Sequence, residues 1–309
     1  MHTSSNRQTV DVLLATFNGE RYLEEQLLSI VQQKDVNVHV WANDDGSDDA
    51  TLAILMKWQK LGLIKDITIT QRIGSTRAFL KLLSEHSNSE YVAFCDQDDI
   101  WEPLKLITQL GKLTDEIPML VASQRLYINS TGTITGKSRA LRTSPCFENA
   151  MVENIAPGNT ILMNNQAIKL INQFPNPGIK HYDSWIYLLI SAFGRVDFLQ
   201  QPLTRYRIHA SNAVGLGKFS VSRIAESVSR FVDQAEYFLS ILGPIEHLLP
   251  KEKAELFIMA RSETDIVRRL RIVKNLGLKR QSRIDGVIFR LFLLLDEKSV
   301  KWFLRNPNS

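Results

Sequence analysis

A strand followed by a helix is predicted four times within the first 115 residues. Each unit starts with a short apolar or β-rich run, and in the second unit Val36, Val38 and Val40 alternate with polar neighbours. Each unit then continues through a polar loop into a segment typical of a helix. The four runs begin at Val10, Val36, Ile67 and Tyr91. Strands that alternate with helices are typical of a parallel sheet whose faces are covered by helices. The first part of the chain is therefore predicted to be an α/β domain.

The pattern changes beyond residue 118. Short strands are predicted at 119–123 and 160–163, and a helix is predicted over 183–193. From about Gly217 onward, apolar residues recur at the spacing of amphipathic helices. We therefore predict one domain over residues 1–216, with halves at about 9–115 and 116–216, followed by a helical region over 217–309.

Polar residues follow three of the predicted strands. These segments are Thr16 to Asn18, Asn43 to Ser47, and Asp96 to Asp99. Ligands of open parallel sheets bind beyond the carboxyl ends of the strands, so we expect the three segments to form one site. The middle segment has a second interpretation, because Asp, Gly and Ser are common in turns and at the caps of helices.

The segment Asp96-Gln97-Asp98-Asp99 carries three carboxylates within four residues. Like charges this close repel one another unless a cation or a ligand neutralises them. Mg²⁺ or Mn²⁺ is the natural partner, because these ions prefer oxygen ligands and can bridge the phosphates of a nucleoside diphosphate. A solvated acidic turn is the alternative interpretation.

Composition and charge argue against several classes of protein. The net charge is +4 and the pI about 9.0, but basic residues concentrate at 261–290, so no nucleic acid partner is expected. The first ten residues are polar, and the apolar run 287–295 contains Arg290. We therefore expect no signal peptide, no spanning helix and a cytoplasmic location. The two cysteines, Cys95 and Cys146, have no spacing typical of a metal site or a disulfide framework.

Five stretches occur in an order that is more specific than any one of them. They are LLATFNGERYLEEQLLSI, NDDGSDDAT, EYVAFCDQDDIW, HYDSW and YRIHASN. Over about residues 9 to 215, the chain resembles the inverting family 2 glycosyltransferases, and particularly their bacterial rhamnosyltransferase-like branch. The resemblance implies a GT-A fold, which is a Rossmann-like mixed sheet flanked by helices, with a C-terminal helical extension. The first half would bind the nucleotide sugar and the second half the acceptor.

The resemblance implies which residues bind the donor. Thr16, Phe17 and Asn18 would line the donor pocket, and Asp45 would contact the nucleobase. Many relatives carry asparagine in the loop that holds Arg72 here, so the donor preference stays open. Arg72 has two interpretations, a phosphate contact or a solvated loop charge.

Asp96 and Asp98 resemble the DXD pair of the family. The resemblance implies that Asp98 binds Mn²⁺ or Mg²⁺, and that Asp96 binds the ribose or the same ion. His209 could help to hold the metal or the diphosphate, although an ordinary surface histidine explains it nearly as well. Arg207 could pair with a phosphate.

The resemblance also marks Asp183 as the general base that takes a proton from the acceptor hydroxyl. Without the upstream motifs, an aspartate before an apolar helical stretch is more often a helix cap. The ordered motifs favour the base.

The implied reaction moves a sugar from a dTDP or UDP donor to the hydroxyl of a glycan or lipid-linked glycan. Rhamnose is the sugar that the resemblance suggests, and bacterial surface polysaccharide synthesis is the process. Two alternatives come from other classes of protein: a magnesium-dependent phosphoacceptor switch of the receiver type, and a non-catalytic nucleotide-sugar binder. A receiver domain would be complete near residue 120, which leaves the later motifs unexplained.

The predicted C-terminal helices leave a question about partners. The apolar residues at 287–293 follow a basic stretch, a combination that suits peripheral contact with an anionic membrane surface. Apolar helices more often pack on their own domain or on a second subunit, so a homodimer is the competing interpretation.

Overall fold

The computed structural model describes residues 7–151, 153–174, 179–209 and 243–255. These residues fall into two units. Most of them, including 7–140 and 156–174, belong to the first unit, while 141–151, 153–155, 191–193 and 243–255 belong to the second. The predicted boundary near Gly217 lies outside the described residues, as does most of the predicted helical region, so the division at residue 216 stays a prediction.

The four predicted strand and helix units are all present. Their bounds are β1 Thr9–Thr16, α1 Leu23–Val31, β2 Asn37–Asp44, α2 Thr51–Lys60, β3 Ile64–Ile69, α3 Ser75–Glu85 and β4 Tyr91–Asp96, and the helix after β4 is α4 Lys105–Leu110. The periodicity of apolar residues therefore located every element of the first half except β5, the two-residue strand Ile100–Trp101.

The second half is a mixture of strands and helices. It contains β6 Met119–Ile128, β7 Ile134–Lys137, α5 Phe147–Ala150, β8 Leu162–Asn164, α6 Asn165–Gln173, α7 Tyr182–Phe193 and β9 Arg195–Arg207. Short 3-10 turns occur at Gly158–Thr160 and Gly243–Leu248. No helix in the described ranges has the length and hydrophobicity needed to cross a bilayer.

One mixed sheet runs through the first unit, and the strands of the described part follow the order β3-β2-β1-β4-β8-β6-β9-β5, with β7 paired to β6. The strands β1 to β4 pair in parallel, as predicted, whereas β8 runs antiparallel to both β4 and β6. The central strand β1 is flanked on both sides, and Val12, Leu13 and Leu14 are fully buried. Each such side chain contributes about 1.5–3 kcal/mol when it leaves water.

Candidate active site

The polar ends of three strands meet at one edge of the sheet. The register pairs Thr16 at the end of β1 with Asp44 at the end of β2, and Ala15 with Asp96 at the end of β4. Because these strands are parallel, the loops that follow them leave the sheet on the same side. The three polar segments singled out in the sequence therefore lie next to one another.

Hydrogen bonds fix the loop after β1 to the loop after β2. The Thr16 hydroxyl donates to Asp44 Oδ1 at 2.8 Å, and the Asn18 amide N–H donates to Ser47 Oγ at 2.9 Å. The Asn18 side chain accepts in turn from the Asp48 amide at 3.0 Å. Asn18 has a φ of +48°, a left-handed conformation that asparagine adopts more readily than most residues. Thr16 and Asn18 thus hold the loops in place.

Phe17 is an exposed residue of the same loop. Its backbone amide donates to Gln97 Oε1 at 2.8 Å, and Gln97 Nε2 donates back to its carbonyl at 2.9 Å. Phe17 is 39% exposed, and the Arg72 guanidinium carbon lies 5.3 Å from the centroid of its ring. A flat apolar surface next to a cation is therefore presented at the carboxyl edge, which is suited to a nucleotide.

Asp45 is almost buried and supports the loop between β3 and α3. Its Oδ1 accepts from the Thr70 hydroxyl at 2.8 Å and from the Ile73 amide at 2.7 Å, and its Oδ2 accepts from the Gly74 amide at 2.7 Å. A carboxylate offers about four lone-pair positions, so one position remains for a ligand. The predicted contact with a nucleobase stays a prediction.

The carboxylates after β4 are crowded. Burial, followed by the charges of Asp99, Asp98 and Asp183, raises the pKa of Asp96 well above its usual range, and Arg125 opposes this effect only in part. Burial and the charge of Asp98 raise the pKa of Asp99 to about 7. A cation or a hydrogen-bond donor that approaches this cluster would make the ionised carboxylates more favourable and lower their pKa.

His209, just after the end of β9, contacts the acidic segment Asp96 to Asp99. His209 Nε2 lies 2.8 Å from Asp98 Oδ2, and the His209 ring lies 5.3 Å from the ring of Tyr22. Both the Asp98 and the His209 side chains are largely buried. The predicted metal-binding pair is therefore in mutual contact, although its predicted role remains a prediction.

Arg207 is 1% exposed, and its guanidinium group contacts several protein groups. Its Nε donates to the Asp98 carbonyl at 2.9 Å, its Nη2 forms an ion pair with Glu25, and its guanidinium carbon lies 4.5 Å from the centre of the Tyr22 ring. The backbone amide of Arg207 donates to Asp99 Oδ1 at 3.2 Å. These contacts fix the acidic segment against α1, so a phosphate would compete with existing partners for this side chain.

Asp183 lies in the first turn of α7, and its charge is among those that raise the pKa of Asp96. Its carboxylate accepts from the Gly158 amide at 3.3 Å and from the Ser184 amide at 2.7 Å. The N-cap position belongs to His181, so Asp183 is not the capping residue of the helix. The neighbouring Tyr182 packs so closely on Gly158 that a Cβ there would lie 1.8 Å from the phenol oxygen.

The oxygen atoms of the acidic cluster are ligands that a divalent cation prefers. Asn159 donates from Nδ2 to Asp99, while its buried Oδ1 has no hydrogen-bond partner among the described residues. Across those same residues, no three His, Cys, Asp or Glu side chains converge as a ready-made metal site. An ion at Asp96 and Asp98 would therefore need further oxygen ligands from elsewhere, for which the phosphates of a donor and water are suitable.

Several supporting residues were not predicted from the sequence. Gln97 joins two of the loops, Asn159 contacts Asp99, and Glu25 pairs with Arg207. Lys105 is fully buried, and burial lowers its pKa to about 7. Gln97 alone had a local signal, since it stands between acidic residues, whereas the partners of the others are distant in the sequence.

Comparison with known proteins identifies relatives among sugar transferases. The dTDP-rhamnosyl transferase RfbG of Shigella flexneri is 40% identical over 217 residues, covering 65% of this chain and 73% of the relative. The UDP-Glc:alpha-D-GlcNAc-diphosphoundecaprenol beta-1,3-glucosyltransferase WfaP of Escherichia coli is 26% identical over 218 residues, covering 69% and 82%.

Solved structures share the fold at low identity. S. aureus TarS 1-349 in complex with UDP-GlcNAc has a TM-score of 0.55 at 14% identity, covering 97% of this chain and 92% of that one. The mannosyltransferase PcManGT of Pyrobaculum calidifontis in complex with GDP-Man and Mn²⁺ has a TM-score of 0.54 at 15% identity, covering 99% and 89%.

The family model described as Glycosyl transferase family 2 matches residues 11–187, a range that runs from β1 through the Asp183 segment. The mixed sheet and its flanking helices agree with this match. The chain belongs to glycosyl transferase family 2 and has the GT-A fold of that family.

Proposed function

We propose that this nucleotide-sugar glycosyltransferase moves rhamnose from dTDP-rhamnose, with inversion, to a hydroxyl of a lipid-linked glycan during bacterial surface polysaccharide synthesis. The 40% identity to a dTDP-rhamnosyl transferase supports the donor. The diphosphoundecaprenol acceptor named for WfaP supports the class of acceptor. Family membership makes the phosphoacceptor switch untenable. We further propose that the reaction takes place on the cytoplasmic side of the membrane.

The carboxylate cluster at the carboxyl edge of the sheet carries this proposal. Asp183 and the Asp96 to Asp99 segment come from elements far apart in the sequence. Burial and the charges of Asp99 and Asp98 raise the pKa of Asp96, and the charge of Asp183 adds to this effect. A site with one carboxylate on α7 and several after β4 can serve two tasks, proton transfer on one side and cation binding on the other.

Asp183 is the proposed base. The acceptor oxygen attacks the anomeric carbon as the bond from that carbon to the β-phosphate oxygen breaks, and the nucleoside diphosphate leaves with the bonding electrons. Asp183 takes the hydroxyl proton, and its bonds from Gly158 and Ser184 orient it for this transfer. Attack on the face opposite the leaving group inverts the configuration of the sugar.

Asp98 and Asp96 are the proposed metal ligands, with His209 in contact with Asp98. A bound Mg²⁺ or Mn²⁺ would supply positive charge for the diphosphate leaving group. On the nucleotide side, Phe17 would stack against the base or ribose, and Asp45 would keep the β3–α3 loop closed around it. Arg207 would position the acidic segment through its hydrogen bond to the Asp98 carbonyl and its ion pair with Glu25.

A donor screen tests the proposal. Binding of dTDP-rhamnose, UDP-glucose and GDP-mannose is measured by calorimetry with Mn²⁺, with Mg²⁺ and with chelator, using the native protein and Asp98→Asn. Asp66→Asn, an exposed carboxylate on β3, is the matched control. We expect metal-dependent binding of dTDP-rhamnose that weakens at least about tenfold in Asp98→Asn only, because one metal ligand is lost.

A folded native protein that binds none of these donors with metal present would refute the proposal. Donor binding without transfer to any lipid-linked glycan would favour the non-catalytic binder. The anomeric configuration of the product, measured by NMR, tests inversion independently of sugar identity.

A further inference from the structure

A groove separates α3 from the end of α6 on the outside of the first unit. Its volume is about 420 Å³, which is within the range of small-molecule sites. Leu80 and Ile171 give it an apolar lining that is buried, and Phe174 and Ile179 extend this lining as half-buried residues. Five of the nine lining residues are polar or charged, so the groove combines apolar surface for a hydrocarbon chain with groups that can bind a polar head.

Two basic side chains of α3 line the same groove. Arg77 and Lys81 are four residues apart and so lie on one face of the helix. Lys81 pairs with Glu85, whereas Arg77 is exposed and has no acidic partner among the described residues. Arg77 also stands in the first turn of α3, where a cation is unfavourable and an anion is stabilised by the helix dipole. The charges therefore favour an anionic ligand.

The groove lies beside the segment that leads to the proposed base. The Thr76 hydroxyl, which also lines the groove, donates to the Lys180 carbonyl at 2.9 Å, three residues before Asp183. On the inner side of α3, the ring of Phe79 packs 4.5 Å from the ring of Tyr182. A ligand held by α3 is thus close in the structure to the start of α7.

We propose that this groove, named here the α3–α6 groove, binds the prenyl diphosphate end of a lipid-linked acceptor. Arg77, which has no acidic partner among the described residues, binds the diphosphate, and the apolar residues of the groove take the first prenyl units of the lipid. The groove then holds the lipid end of the acceptor while its sugar reaches Asp183. This inference rests on the proposed lipid-linked acceptor, but it assigns residues and a place to the recognition of the lipid.

The test uses farnesyl diphosphate as the probe, with farnesol and inorganic diphosphate as the tail-only and anion-only probes. Binding is measured by calorimetry on the full chain, the variants Arg77→Ala and Arg77→Lys, and the control Lys60→Ala, an exposed lysine on α2. We expect farnesyl diphosphate to bind more tightly than either partial probe. Arg77→Ala should weaken it about tenfold, Arg77→Lys should recover part of the loss, and Lys60→Ala should have no effect.

Equal affinities of the native protein and Arg77→Ala for farnesyl diphosphate would overturn the inference. So would inorganic diphosphate that binds as tightly as farnesyl diphosphate, since the groove would then recognise only a free phosphate group. Titration with dTDP separates the two proposals. If the native protein binds dTDP but its binding of farnesyl diphosphate does not depend on Arg77, only the inference about the groove is refuted. If the native protein binds no nucleotide, the proposed function is refuted.

Discussion

The two acidic segments at the carboxyl edge differ in what surrounds their carboxylates. After β2, Asp44 accepts from Thr16 and Ser47, while Asp45 accepts from the loop between β3 and α3. After β4, burial and then the charges of the neighbouring carboxylates raise the pKa of Asp96. Asp44 and Asp45 of the first segment are satisfied by protein donors. In the second segment Asp98 and Asp99 also have protein partners, and it is Asp96 that faces like charges, which a cation would neutralise.

This difference indicates a structural role for the segment after β2 and a role in the reaction for the segment after β4. Carboxylates that accept several backbone and hydroxyl hydrogen bonds stabilise loop conformations, so their loss should unfold or loosen the protein. Carboxylates that repel one another lower the stability of the free protein and become favourable when a ligand arrives. Substitutions in the two segments should therefore change different measurements, stability on the β2 side and transfer on the β4 side.

The largest expected effect is on turnover. Asp183→Asn keeps the size and the acceptor oxygen of the side chain but removes the proton acceptor, so kcat for sugar transfer should fall about a thousandfold. The affinity for the nucleotide should stay within about twofold, because Asp183 is not on the nucleotide side. Steady-state kinetics with a glycan acceptor and calorimetry with dTDP measure the two quantities.

Asp66→Asn, which changes an exposed carboxylate on β3, is the matched control and should leave kcat unchanged. If Asp183→Asn kept near-native turnover, the base would have to be another group, and the carboxylates after β4 would be the first candidates.

The next effect is on stability. Asp45→Ala leaves the amides of Ile73 and Gly74 and the hydroxyl of Thr70 without their acceptor, so the free energy of unfolding should fall by about 2–4 kcal/mol. Asp48→Ala removes an exposed carboxylate from the same loop and should change it by less than about 0.5 kcal/mol. Urea denaturation measures both, and equal values for the two variants would contradict the framing role of Asp45.

The strands of the first half were predictable because each contains a short apolar or alternating run that ends at a polar loop. β9 was not, although it is thirteen residues long, because Gln200, Gln201 and Pro202 interrupt its apolar residues. It forms through pairing with β6 along most of its length, and that contact is visible only in the fold. Tertiary pairing here overrides local propensity.

The site was predictable only as far as acidic residues stand at strand ends. The sequence indicated which segments would meet, but not which carboxylates would be satisfied by protein donors. Asp99 and its partner Asn159 are 60 residues apart, and Arg207 and Glu25 are 182 apart. No local pattern encodes such pairs, because each depends on two elements being brought together by the sheet.

A smaller effect tests the buried support of the acidic segment. Arg207→Lys keeps the charge but loses the planar group that donates to the Asp98 carbonyl and pairs with Glu25, so stability should fall by about 1–2 kcal/mol. The neighbouring Arg205 forms a more exposed ion pair with Glu102, and Arg205→Lys should cost less than about 1 kcal/mol. Thermal unfolding at fixed pH ranks the two variants, and the reverse order would remove the positioning role.

The smallest expected effect concerns Arg72, which lies beside Phe17 where the nucleotide is proposed to bind. The Arg72 guanidinium lies over the exposed ring of Phe17, an arrangement worth about 0.5–1 kcal/mol at an exposed site, so Arg72→Ala should weaken donor binding about two- to fivefold. Arg195→Ala is the control, because Arg195 begins β9 at the opposite edge of the sheet and pairs with Asp197. A direct phosphate contact by Arg72 would give a larger loss, of about tenfold or more, that shrinks at high salt. Calorimetry at two salt concentrations thus distinguishes an arginine that supports the Phe17 ring from one that binds a phosphate of the donor. If Arg72→Ala changed donor binding at neither concentration, Arg72 would be a solvated loop residue.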